Sequence, residues 1–166
     1  VAMVADIRGR PSHAIVADAL TALANLEHRG AAGAEPTSGD GAGILVAVPD
    51  GLLRATCGFP LPGPGAYAAG LAFLPPDDPG ARTMIESLAG EEGLEFLGWR
   101  EVDVDPREVG PTASARMPAL AMPVIAGRSG ETGVDLDRRA FRLRKRAEHG
   151  GVYFPSLSAR TLVYKG

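Results

Sequence analysis

Three stretches of this sequence carry residue types that could do chemistry. His28-Arg29-Gly30-Ala31 closes a run of helical periodicity. A guanidinium held at a rigid helix end could orient a carboxylate or a backbone carbonyl, although a His and an Arg also suit the helix C-terminal dipole with no further role. Ser38-Gly39-Asp40-Gly41-Ala42-Gly43 is superficially a phosphate loop. It precedes a strand pattern, whereas the dinucleotide fingerprint follows a strand and opens a helix. Alone it reads as a tight turn with Asp40 bonding to local backbone. The lone Cys57 follows the helical patch DGLLRATCG with no His or Asp beside it in sequence, which reads as a packed thiol and leaves no internal nucleophile.

The elements that must position these residues follow from periodicity. VAMVADI has a strand pattern, and SHAIVADALTALANLEHRG places Val16, Leu20, Leu23 and Leu26 near helical spacing, with Ser12 as N-cap and Gly30 as stop. GILVAVP, AYAAGLAFLP, LEFLGWREVDV and PALAMPVIAG read as strands. DPGARTMIESLAGEEG reads as a helix, and VDLDRRAFRLRKRAEH as an amphipathic helix capped by Asp135 and packing through Leu136, Ala140, Leu143 and Ala147. VYFPSLSARTLVYKG suggests two paired strands around a turn at 155–159. The class is α+β, and the continuously apolar strands favour a layered sandwich.

Composition narrows the function. The 166 residues carry a net charge of -3, which gives no general attraction for nucleic acid, and the six basic residues from Arg138 to Arg146 read as a solvated helix face. Glu86, Glu91, Glu92 and Glu95 read as solvent-facing, and His13 and His149 have no role. No apolar run is long enough to span a membrane. One cysteine with three scattered histidines supplies neither a disulfide nor a metal site, and suits the cytoplasm. Strand patterns at both ends suggest an excerpt of a longer chain.

The order of VAMVADIRGRPSHAIVADALTALANLEHRGA, GAEPTSGDGAGILVAVP, LGWREV and YFPSLSARTLVYKG closely resembles the N-terminal class II glutamine amidotransferase domain of the glutamate synthase large chain, over nearly the whole of 1–166. The resemblance implies an N-terminal-nucleophile hydrolase fold, a four-layer αββα sandwich, here incomplete. It also implies a mature N-terminal Cys that attacks the glutamine side-chain amide, with its own α-amine as base. Water then hydrolyses the thioester to glutamate, and the released ammonia serves reductive amination of 2-oxoglutarate.

The same resemblance places Arg29 and Gly30 in a supporting catalytic role and His28, Asp40, Gly41 and Gly43 in the substrate-pocket loop, with no metal. It puts the nucleophilic Cys before Val1 and the oxyanion Asn-Gly after Gly166, so the chain alone is expected to be inactive. No cofactor is expected in this chain. FMN and an iron-sulfur cluster are implied for the parent, and the expected partners are glutamine, the remainder of the large chain and a small electron-delivering subunit. The alternatives are a non-catalytic split-domain binding module, or another class II amidotransferase such as those making asparagine, glucosamine phosphate or phosphoribosylamine.

Overall fold

The computed structural model describes residues 1–31, 39, 41–76 and 78–165. Helix α1 (His13–Asn25) starts where the Ser12 side chain accepts the amide of Ala14. It is followed by strand β1 (Gly43–Ala47), helix α2 (Asp50–Thr56), strands β2 (Tyr67–Ala69) and β3 (Ala72–Leu74), helix α3 (Gly80–Glu91) and strand β4 (Leu94–Glu101). A short helix α4 (Pro111–Ser114), strand β5 (Ala119–Gly127), helix α5 (Gly133–His149) and strand β6 (Thr161–Lys165) complete the order.

β5 is the axis of the larger sheet. It is almost wholly buried, with β4 antiparallel along one edge and β2 and β3 end to end along the other. α3 and α5 cover one face, burying Ala81, Ile85 and Ala89 from α3 and Leu136, Ala140, Leu143 and Ala147 from α5 against Ala68, Ala72, Leu94 and Ile125. The four α5 residues recur at helical spacing, as the sequence pattern requires. Each large aliphatic side chain buried here contributes roughly 1.5–3 kcal/mol. An exposed ion pair such as Arg138–Asp135 contributes only about 0–1 kcal/mol, so packing holds α5 in place.

The other face of this sheet presents Tyr67, Ala69, Met122, Val124 and Ala126 to Leu53 of α2 and Leu162 of β6, with Val46 and Tyr164 against them. β1 and β6 form a separate antiparallel ribbon, with Gly43 opposite Lys165 and Ala47 opposite Thr161. α1 lies beside β1 and buries none of its residues completely.

Five sequence expectations need correction. Residues 1–6 make no ladder among the described residues, and Val1 and Met3 are exposed, because a strand pattern without a partner forms no strand. AYAAGLAFLP divides into β2 and β3 at Gly70, where the Ser156 carbonyl occupies the space of a Cβ. The cap of α5 falls at Thr132, and Asp135 lies in the first turn paired with Arg138. Residues 152–165 are not a hairpin: Tyr153 and Ser158 bridge Phe73 and Ala69 of the larger sheet, whereas β6 pairs with β1. Glu92 is not solvent-facing. Its side chain is 12% exposed and joins Arg142 and Arg146, drawn in by two arginines of α5.

Candidate functional site

The described candidate residues flank the segment between the end of α1 and the start of β1. A turn at Asp6–Gly9, with Gly9 at φ 68, leads into the Ser12 cap. The α-helix stops at Asn25, earlier than the Gly30 expected from sequence, and a single 3-10 turn over Glu27–Arg29 continues it. In that turn the Arg29 amide donates to the Leu26 carbonyl at 2.8 Å and the Gly30 amide to Glu27 at 3.0 Å. His28 folds back, its Nδ1 lying 3.0 Å from the Asn25 carbonyl, which fixes the ring against the helix end. Arg29 is exposed, and its guanidinium has no hydrogen-bond or ion-pair partner among the described residues. Gly30 takes extended dihedrals of φ -80 and ψ 155, so the chain leaves the turn straight.

The glycine loop returns to this point. A Cβ placed on Gly39 would lie 3.4 Å from the carbonyl oxygen of Ala31, directly after Arg29-Gly30. Gly41 has φ 77, a left-handed conformation that a side chain would strain. At Gly43 a Cβ would come within 3.0 Å of the Tyr164 carbonyl, so the missing side chain lets β6 close onto the first residue of β1. The structure therefore brings the helix-end motif to Gly39, and brings Gly43 to the end of β6. Asp40 lies outside the described residues.

Cys57 caps the C-terminus of α2, donating its amide to Leu53 at 2.8 Å, and packs at the margin of the core between the sheets. Burial pushes its thiol pKa up, and the nearby Arg100 guanidinium only partly opposes this. A protonated thiol is a poor nucleophile. Among the described residues no group of three or more His, Cys, Asp or Glu could hold a metal ion. One cysteine in the whole sequence also falls short of the four thiolates that bind an iron-sulfur cluster, so this chain does not fit that group. No helix among the described residues is long and apolar enough to cross a membrane.

Two polar clusters escaped the sequence reading. Buried Tyr67 donates its hydroxyl to Asp50 at 2.9 Å, and Arg54 grips the same carboxylate at 2.8 and 2.9 Å. The i,i+4 spacing of Asp50 and Arg54 was a visible signal for their pairing. Asp137 of α5 accepts the Ala159 amide at 2.7 Å and the Arg160 Nε at 2.9 Å, a contact across 22 residues that no local pattern reveals.

With this geometry in place, the chain belongs to the class-II glutamine amidotransferases, whose family model matches residues 1–166. Within that class it is similar over its full length to glutamate synthases. It is 34% identical to the glutamate synthase (NADPH) large chain of Bacillus subtilis, 38% identical to the ferredoxin-dependent glutamate synthase 2 of Synechocystis sp. and 36% identical to the glutamate synthase (NADH) of Schizosaccharomyces pombe. All of this chain is covered in each comparison, but only 12%, 11% and 9% of those relatives. The chain thus spans about a tenth of their length.

Proposed function

We propose that this chain is part of the glutaminase domain of a cytoplasmic glutamate synthase, which hydrolyses glutamine to glutamate and ammonia for reductive amination of 2-oxoglutarate. The observation that carries the reading is the closeness of Gly39 to the Ala31 carbonyl, one residue after Gly30, which supports a shared site for the two motifs. Two sheets packed face to face, with α3 and α5 outside one and α1 beside the other, support the αββα sandwich of N-terminal-nucleophile hydrolases.

In this reading Arg29 and Gly30 support the nucleophile, and His28, Asp40, Gly41 and Gly43 form one wall of the glutamine pocket. In the same reading Cys57, packed and with its thiol pKa raised by burial, is not the nucleophile, and the nucleophile and oxyanion donors come from other parts of the longer enzyme. Losing a single oxyanion donor costs about 100- to 1000-fold in rate, so the isolated chain is inactive. FMN and the iron-sulfur cluster belong to other parts of the longer enzyme, as does the contact with an electron-delivering subunit.

The test is Arg29→Ala in the full-length protein. Glutamine-dependent glutamate synthesis should fall by about tenfold or more, while synthesis from added ammonia stays within about twofold of wild type. Equal loss of both activities would assign Arg29 to folding and remove it from the site.

A further inference from the structure

We propose that Asp137 is a positioning residue that sets the β1–β6 ribbon, and with it the Gly41–Gly43 wall of the candidate site, on the larger sheet. The inference rests on the glutaminase reading for its catalytic consequence, but its structural part stands separately.

The chain crosses from the larger sheet to the ribbon over Ser156–Arg160. On the near side, Ala69 and Ser158 exchange backbone hydrogen bonds of 3.1 and 3.2 Å. On the far side, the Arg160 carbonyl accepts the Val48 amide at 3.0 Å, one residue beyond the end of β1, and Thr161 opens β6. Asp137 stands over the junction. One carboxylate takes two consecutive residues, Ala159 through its backbone amide at 2.7 Å and Arg160 through Nε at 2.9 Å.

The Asp137 side chain is 17% exposed, against 64% for Arg160, so the partner shielded from water is the helical carboxylate. Bonds from an amide and a guanidinium to a shielded carboxylate are charge-assisted and directional. They fix the direction in which the backbone leaves the larger sheet. Serines complete the fastening: Ser158 Oγ accepts the Arg160 amide at 3.0 Å, and the nine-tenths-buried Ser156 accepts the Val163 amide at 2.9 Å.

Every displacement at Ala159–Arg160 therefore enters the ribbon at both strands, through Thr161 into β6 and through Val48 into β1. At the other end of the same ribbon, Gly43 sits against the Tyr164 carbonyl and leads into Gly41. α5 lies on the far side of the larger sheet from the ribbon. Asp137 thus ties the helical layer to the start of β6, the partner of the strand that carries the pocket wall, without itself reaching that wall.

The test uses the full-length protein with Asp137→Ala and the milder Asp137→Asn, which keeps an oxygen for Ala159 and loses the ion pair. Hydrogen–deuterium exchange of peptides covering 43–48 and 161–165 should quicken by about tenfold in Asp137→Ala and less in Asp137→Asn, while 119–126 exchanges as in wild type. KM for glutamine should rise about tenfold, with ammonia-dependent synthesis unchanged. Unchanged exchange at 43–48, or equal quickening throughout, would overturn the inference. So would collapse of Asp137→Ala accompanied by wild-type exchange and KM in Asp137→Asn. A wild-type protein that does not hydrolyse glutamine would instead sink the glutaminase reading, and the exchange result would stand apart from it.

Discussion

Gly70 and Ser156 meet backbone to backbone: the Ser156 carbonyl lies where a Cβ of residue 70 would stand, and Leu157 Cα would be 2.9 Å from that Cβ. Gly70 is therefore the gap through which the crossover segment reaches the larger sheet. The obstacle is main chain, which cannot swing aside as a flexible side chain can. Gly70→Ala should lower stability by about 3 kcal/mol, measured by chemical denaturation. A loss below about 0.5 kcal/mol would mean that the crossover relaxes freely.

Stability should fall at both extremes of pH, for separate reasons. Hydrogen bonds from Arg142, then Arg146, hold the Glu92 carboxyl below the ordinary 4.5, despite some opposing desolvation. A depressed folded pKa gives stability that is present above the unfolded value and lost as pH falls through the folded one, so Glu92→Gln should flatten the acid limb. Burial, reinforced by the bond to Asp50, raises the Tyr67 phenol. That stability is complete below the unfolded value of about 10 and is lost as pH rises beyond it. Thermal melts across pH should show Tyr67→Phe with a shallower alkaline limb than wild type.

Cys57 should react slowly. Its raised pKa and half-buried position predict alkylation at pH 8 about tenfold slower than that of a free thiol, rising to the free rate in denaturant. Fast labelling of the folded protein, followed by mass spectrometry, would contradict the packing described for α2.

What the sequence disclosed was whatever depends on neighbours along the chain. The Leu136, Ala140, Leu143, Ala147 stripe of α5 and the Ser12 cap of α1 follow from spacing within one helix, and both are found. β4 and β5 are strand patterns bounded by turn residues and are found near their expected limits. The larger failures depend on partners far away, whereas the α5 cap at Thr132 and the end of α1 at Asn25 are local misses of a few residues. Nothing near Gly70 announces Ser156, and nothing in 152–165 tells that its halves pair with different sheets. In the site, the closeness of Gly39 to Ala31 is a tertiary contact between two motifs each legible alone. Asp137 gives no signal beyond its place in an amphipathic helix, since its partners lie beyond any local window.

The pairing of β1 with β6 also dictates an order of assembly. Gly43 faces Lys165 across about 120 residues of intervening chain, whereas β4 and β5 are near neighbours in sequence. Closing so long a loop carries an entropic cost that local pairings avoid, and contacts of this kind form slowly. The larger sheet with α3 and α5 can assemble before the ribbon closes. During synthesis on the ribosome, β1 must wait with its edge open until almost all of 1–165 has emerged, so this is the strand exposed longest to wrong partners.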